Sequence, residues 1–135
     1  MKKLFYLFAV LTFVGCSSSD DDNNNNSSDN NAFHPPSWIH GTWSFDEETV
    51  NGFVFTSNTF CSINGTQQTC FPEQELEGTY RVDEEISDTD YTITIIQSSF
   101  GQVFQTNTYH FIKVDSEHIY FYDPILDNRM MYKLD

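Results

Sequence analysis

Basic residues are scarce in this sequence. Lys and Arg number 6 against 20 Asp and Glu, which gives a formal net charge of −14. Because phosphate contacts require a basic surface, this composition argues against a nucleic-acid-binding protein. The same charge opposes direct electrostatic binding to anionic lipid headgroups. A cationic partner is compatible with it, but a solvated acidic surface explains the composition equally well.

The sequence also lacks an apolar run long enough to cross a bilayer, which takes about 20 residues. Its longest run, residues 4–14, contains Thr12 and follows Lys2 and Lys3. A positive start followed by a short apolar stretch is typical of a secretory signal peptide. The sequence therefore predicts export from the cytoplasm.

The apolar run ends in Val14-Gly15-Cys16. A small residue directly before a cysteine resembles the lipobox of bacterial lipoproteins, although Phe13 stands where that motif more often has Leu. The resemblance implies that residues 1–15 are removed and that Cys16 carries a diacylglyceryl group and an N-acyl chain such as palmitate. Two or more chains anchor a protein stably to a membrane. An ordinary signal peptide that happens to contain a cysteine is the alternative.

Residues 17–31 contain no large apolar side chain. Such a segment cannot bury enough surface to offset its conformational entropy, so residues 16–32 are interpreted as the lipidated cysteine and a disordered acidic, Asn-rich tether. The acids Asp20, Asp21 and Asp22 resemble the export tag of Bacteroidetes surface lipoproteins. That resemblance implies an outer-membrane protein exposed on the cell surface. A periplasm-facing lipoprotein is the alternative.

Helical periodicity is absent after His40, and aromatic residues are abundant, with 13 Phe and 7 Tyr. Short alternating runs separated by turn residues indicate antiparallel strands; the clearest are residues 91–95 and 103–114. We expect an all-β domain of about eight strands over residues 33–135. An up-and-down barrel would remove the exposed sheet edges, and a sandwich is the alternative.

One family resemblance lies at the start of this domain. Ser37 suits a short helical turn, and Gly41-Thr42-Trp43 then resembles the Gly-x-Trp signature that begins the first strand of lipocalins. Arg129, before the last strand, matches the family's Arg that packs across that Trp. The resemblance implies a small lipocalin-like barrel with Trp43 beneath Arg129. The domain is shorter than most lipocalins and lacks their C-terminal helix, as in the compact lipocalin-like domains of Bacteroidetes lipoproteins.

Only three cysteines are present, and with Cys16 assigned to lipid a single pair remains. If residues 64–67 form a four-residue hairpin loop, Cys61 faces Cys70 on the neighbouring strand. In an oxidising compartment this register predicts a cross-strand disulfide. Free buried thiols and a metal site are the alternatives, and the lack of a nearby His disfavours the metal.

Motifs that would indicate an enzyme or a cofactor site are missing. The sequence has no nucleophile elbow, phosphate loop or dinucleotide fingerprint, and its four His show no metal-ligand spacing. Its paired carboxylates fall in turn-like segments. We therefore predict a non-enzymatic protein without cofactor or metal.

These observations favour a lipid-anchored envelope protein whose lipocalin-like barrel binds a small apolar or amphipathic ligand. Membrane contact is expected through the N-terminal lipid. The alternative is a solid-cored interaction module, an inhibitor or accessory subunit, whose Tyr120 and Tyr122 contact protein or glycan. The candidate ligand-lining residues are Phe53, Phe55, Tyr80, Ile93, Tyr109, Phe111 and Phe121.

Overall fold

A computed structural model describes residues 30–135. The predictions for residues 1–29, including signal-peptide cleavage and lipidation of Cys16, lie outside the described residues. One 3₁₀ turn, Ser37–Ile39, precedes nine strands. These are β1 Gly41–Ser44, β2 Asn51–Phe55, β3 Phe60–Asn64, β4 Gln67–Cys70, β5 Tyr80–Ile86, β6 Asp90–Ser99, β7 Gln102–Lys113, β8 His118–Asp123 and β9 Asp127–Lys133.

The strands form one antiparallel sheet in the order β4-β3-β2-β1-β9-β8-β7-β6-β5. Every neighbour in the sheet is also a neighbour in sequence, except that β1 pairs with β9 and brings the two ends of the domain together. The sheet curls into a half-barrel. The prediction of an all-β antiparallel fold is confirmed, with nine strands in place of about eight. Within the described residues, no helix has the length and apolar character needed to span a membrane.

The curled sheet is not closed by a ladder between its edge strands β4 and β5 in the described chain. The N-terminal segment lies along this seam instead. The N–H of Ala32 donates to the carbonyl of Glu73 at 2.6 Å, and Asn31 forms a bridge with Gln74. On the opposite side, the N–H of His34 donates to the carboxylate of Glu84 at 2.9 Å. Asn31, Ala32 and His34 therefore contact both sides of the seam, and the sheet is a half-barrel in place of the closed barrel expected from the pattern.

Strand alternation places aromatic and branched side chains on the concave face. In β6, Tyr91, Ile93 and Ile95 are fully buried, whereas the residues between them are only half-buried. The concave face of β2 carries Phe53 and Phe55, which pack on the other strands. Phe53 and Phe55 each have ring centroids within 5.0–5.4 Å of both Phe60 and Phe111. Aromatic side chains bury roughly 150–250 Å² each, so these rings account for much of the core.

Candidate functional site

The turn that begins the domain closes one end of the half-barrel. Gly41 has a φ of +125°, which an L side chain rarely adopts, and it redirects the chain from the 3₁₀ turn into β1. Trp43 is fully buried, and its indole N–H donates to the carbonyl of Ile39 at 2.7 Å. The Trp thus fastens the turn to the sheet.

The cation above Trp43 is Lys133 and not Arg129. Lys133 is the cross-strand partner of Trp43, and its ammonium lies 5.6 Å from the ring centroid. Arg129 precedes it by four residues, about 13 Å along a strand, so it belongs to the other end of the sheet. There its guanidinium lies 3.9 Å from the ring centroid of Phe45. The Arg129–Trp43 contact implied by the lipocalin resemblance is therefore replaced by an Arg129–Phe45 contact.

The predicted disulfide is confirmed. Cys61 pairs with Cys70 across β3 and β4, and the two sulfurs are bonded at 2.07 Å. Ile63 faces Gln68 and Asn64 faces Gln67 in the same ladder, which places the turn at Gly65. The bond ties the edge strand β4 to the sheet, because β4 has no other strand partner in the described chain.

The candidate ligand-lining residues lie together, but as a packed core. Phe55, Ile93 and Phe111 are at most 2% exposed. Tyr109 and Phe121 are half-buried, and both have ring centroids within 6 Å of Phe53. These side chains fill the concave side with one another. Phe53 and Tyr80 each line a surface cleft, and the two clefts are different.

Tyr80 is an exception within this core. It is 5% exposed, and its hydroxyl has no hydrogen-bond partner among the described residues. Burial, with smaller contributions from the nearby charge of Glu75 and from Tyr109, raises the pKa of Tyr80 to about 12. Burial also raises the pKa of Tyr109. Both phenols are therefore held in the neutral form.

A second polar group, the Glu84 carboxylate, has its hydrogen-bond partners within the chain. Tyr91 donates its hydroxyl proton to one carboxylate oxygen, and the ring nitrogen of His34 lies 3.0 Å from the other. Burial, followed by this bond to Glu84, raises the pKa of Tyr91. The side chain of Glu84 is only 11% exposed. His, Glu and Tyr could support acid–base chemistry, but here they tie the N-terminal segment to β5.

A cleft of about 610 Å³ lies on the outer face of the sheet and is called the side cleft below. Cross-strand pairing sets Arg81 beside Ile96 and Ile96 beside Thr106, which forms its floor. The loop between β4 and β5 forms one wall. Its lining residues are Glu75, Leu76, Glu77, Gly78, Thr79, Tyr80, Arg81, Ile96, Ser98, Val103 and Thr106. Cavities of 300–1,000 Å³ are the usual size for small-molecule sites.

The side cleft combines apolar walls with a polar rim. Leu76 is 57% exposed and Val103 is 61% exposed, so both offer apolar surface to a ligand. At the rim, Arg81 forms an ion pair with Asp83 at 2.9 Å. The carboxylate of Glu75 accepts the N–H of Val82 at 2.8 Å and so caps the edge of β5. Such a surface suits a ligand that is apolar at one end and polar at the other.

Reasoning from the sequence missed the side cleft, although one signal was present. Ile96 follows Ile95 and breaks the alternation of β6, so one of the two must face outward. Because Ile95 points into the core, Ile96 lies on the outer face. The loop residues Leu76 and Thr79 could not be assigned to the cleft from sequence, since their approach to β6 depends on the tertiary fold.

A smaller cleft of about 390 Å³ lies at the concave mouth. Phe45 and Phe53 form part of its lining, together with the polar side chains Asn51, Ser62, Asn64, Gln67 and Thr69. On the outer face of β8, Tyr122 is 47% exposed and its ring lies 6.0 Å from that of His110. Within residues 30–135, no group of three or more His, Cys, Asp or Glu side chains is placed to hold a metal ion.

Comparisons of the chain with known protein families, with curated proteins and with solved structures give no match. The functional reading therefore depends on the geometry of the chain itself.

Proposed function

We propose that this protein is a lipid-anchored binding protein of the bacterial cell envelope that takes a small amphipathic ligand in the side cleft. The barrel interior serves as a solid scaffold. The observation that carries the proposal is the side cleft, about 610 Å³, with the exposed apolar side chains of Leu76 and Val103 in its walls.

The packing of the core supports an external site. Phe53 has five aromatic neighbours with centroids at 5.4–6.1 Å, so a ligand inside the sheet would have to displace well-packed rings. Displacing such contacts costs several kcal/mol. By contrast, the exposed apolar walls of the side cleft gain about 25 cal/mol for each Å² that a ligand covers.

The anchor is proposed from Val14-Gly15-Cys16 and from the polar residues that follow. Palmitate labelling of cells that produce the protein, with and without Cys16→Ser, tests it. We expect the label to disappear in the variant. Protease treatment of whole cells then distinguishes surface exposure from a periplasmic location, since a protein digested only after lysis does not face outward.

The fluorescent probe N-phenylnaphthylamine tests the side cleft. Ile96→Asp places a charge on the cleft floor, and Thr94→Asp is a matched control on the same face of β6, outside the cleft lining. We expect Ile96→Asp to weaken probe binding at least tenfold, because a buried carboxylate opposes an apolar ligand. Thr94→Asp should bind like the unsubstituted protein. Equal binding by all three proteins contradicts a site in the side cleft.

A second candidate function is an interaction module, and the exposed residues at one end of the sheet favour it. Ile125 is 88% exposed and Leu126 is 63% exposed in the β8–β9 turn, next to Tyr122. The expected partner is a protein that covers this turn. Ile125→Ser together with Tyr122→Ala should then abolish recovery of the partner by cross-linking while leaving the thermal unfolding temperature unchanged.

A further inference from the structure

The end of the β6–β7 hairpin extends past the paired part of its neighbours in the sheet. β5 pairs with β6 only as far as Gln97, and β8 pairs with β7 only from His110 onwards. On the β5 side, the N–H of Ser98 donates to the carbonyl of Thr79 at 2.8 Å. Residues 98–104 therefore lie beyond both neighbouring ladders, and they are called the hairpin tip below.

Two phenylalanine side chains are exposed on the hairpin tip. Phe100 is fully exposed, and Phe104 is 66% exposed. The ladder between β6 and β7 shifts at Gln97 and Ser98, and Phe104 is the extra residue on the β7 side. Such a bulge changes the direction of a side chain. Because both rings are mostly exposed, packing of the domain does not explain them.

The chemistry of the turn does not explain Phe100 either. Ser99 pairs with Gln102, which leaves a two-residue turn between them. Both turn residues have positive φ, +51° at Phe100 and +76° at Gly101. Turns of this kind strongly prefer Asn-Gly or Asp-Gly, because a bulky side chain is strained at positive φ. Strain that neither packing nor the turn requires points to a function of the exposed ring.

The hairpin tip carries no charge. Residues 91–109 contain no Asp, Glu, Lys, Arg or His, in a chain whose net charge is −14. The loop before β5 carries Glu73 and Glu77, which oppose an anionic surface. An uncharged tip with exposed Phe side chains therefore suits an apolar phase beneath neutral or zwitterionic headgroups.

The N-terminal segment runs towards the same end of the sheet as the hairpin tip. The indole N–H of Trp38 donates to the carbonyl of Ser87, in the turn that follows β5. Four residues earlier, the N–H of His34 donates to Glu84, which lies nearer the start of β5. From Trp38 back towards residue 30, the segment therefore follows β5 towards its first residue, which pairs with β6 beside the tip.

The contacts of Asn31 support this direction. Asn31 forms a bridge with Gln74. Leu76, two residues later, lines the side cleft together with Val103 of the hairpin tip. Asn31 follows Cys16 by fifteen residues, which span at most about 50 Å. A lipid on Cys16 would therefore hold this end of the domain close to the bilayer.

We propose that the hairpin tip docks into a lipid bilayer, with Phe100 and Phe104 between the headgroups and the acyl chains. The inference rests on the proposed lipid at Cys16 and adds a second membrane contact to it. Because that lipid raises the local concentration of the tip at the bilayer, two Phe side chains suffice for a contact that would be weak alone. Docking fixes the orientation of the domain, with the β7–β8 turn away from the membrane.

A fluorescent label beside Phe100 tests the docking. Full-length protein with Ser99→Cys is purified from the membranes of producing cells, labelled with nitrobenzoxadiazole and reconstituted in phosphatidylcholine vesicles. Ser116→Cys is the matched control, because this exposed serine lies in the β7–β8 turn, about 40 Å away along β7. We expect blue-shifted emission that brominated phosphatidylcholine quenches at residue 99. The label at residue 116 should emit as in water and escape quenching.

Substitution of the two rings shows whether they cause the insertion. In the Ser99→Cys protein, Phe100→Ser together with Phe104→Ser should abolish both the blue shift and the quenching. Val114→Ser removes an exposed apolar side chain at the other end of β7 and should change neither. Since all three side chains are exposed, none of these substitutions removes a core contact. Equal quenching with and without the two rings overturns the proposal.

Flotation of the same vesicles separates this result from the proposed anchor. Protein that fails to float with the vesicles overturns the anchor and the docking together. Protein that floats while the label at residue 99 remains in water overturns the docking alone, and it leaves the hairpin tip as a contact for another protein. Binding of N-phenylnaphthylamine in the side cleft is measured without vesicles and therefore succeeds or fails independently.

Discussion

Glu84 of β5 accepts the main-chain N–H of His34, which is fifty residues earlier in the chain. The same carboxylate accepts the hydroxyl of Tyr91. Through this one side chain the N-terminal segment is attached to one side of the seam, and Ala32 attaches it to the other side. We therefore expect the stability of the sheet to depend on a segment that lies outside its nine strands.

Glu84→Gln tests this attachment. We expect it to lower the free energy of unfolding by about 1–3 kcal/mol, because charge-assisted hydrogen bonds to two donors are weakened. Urea unfolding followed by Trp fluorescence measures the change. Glu85→Gln, an exposed neighbour on the opposite face of β5, is the control and should change stability by less than about 0.5 kcal/mol. Equal effects of the two substitutions contradict the special role of Glu84.

Removing the side-chain hydroxyl should lower the free energy of unfolding at Tyr91 but not at Tyr80. Tyr91→Phe removes the donor to Glu84, and we expect a loss of about 1–2 kcal/mol. Tyr80→Phe removes a buried hydroxyl that has no partner in the described chain, so we expect between no change and a gain of about 1 kcal/mol. Urea midpoints of the two variants measured side by side check this. A clear loss in Tyr80→Phe would falsify the prediction.

Stability should fall steeply at high pH. The pKa of Tyr80 is about 12 in the folded protein, against about 10 for a free phenol. The unfolded chain therefore releases its proton first, and the contribution of Tyr80, intact below about pH 10, disappears as the pH rises to about 12. Two pH units correspond to about 3 kcal/mol. The unfolding midpoint across this window is the measurement, and Tyr80→Phe should flatten the decline.

The disulfide should stabilise the domain through the unfolded state. Cys61 and Cys70 close a loop with a sequence separation of 9, for which the chain-entropy relation predicts about 2.7 kcal/mol. Replacing both cysteines by Ser should lower the free energy of unfolding by about that amount. The unsubstituted protein should become equally unstable in a reductant. If the reductant has no effect, the bond does not contribute to stability.

Arg129 should contribute little to stability, since its contact with Phe45 is exposed. Arg129→Gln is expected to cost about 0.5–1 kcal/mol, the usual value for a cation over an aromatic ring at the surface. Trp43→Phe should cost more, because it removes a buried hydrogen bond to Ile39 as well as apolar volume. Thermal unfolding of both variants checks the order, and a larger effect of Arg129→Gln contradicts it.

Local patterns in the sequence predicted much of the fold. Alternation in residues 91–95 predicted the inward side of β6, and the loop at 64–67 predicted the Cys61–Cys70 bond. Both follow from strand geometry between neighbours in the chain. Trp43 is buried, but the cation over its ring is Lys133 and not the Arg129 that the resemblance implied. The choice between Lys133 and Arg129 depends on the register between β1 and β9, which no local pattern encodes.

By itself, the sequence determined the strand content, the register of the β3–β4 hairpin and the acidic character of this protein, because these depend on short-range alternation and composition. Only the tertiary structure decided that the aromatic residues form a packed core and that the N-terminal segment occupies the seam. It also decided that the loop from Glu75 to Thr79 approaches Ile96 to form a cleft. These features arise from contacts between residues far apart in sequence, where the curl of the sheet and the volume of the side chains set the outcome.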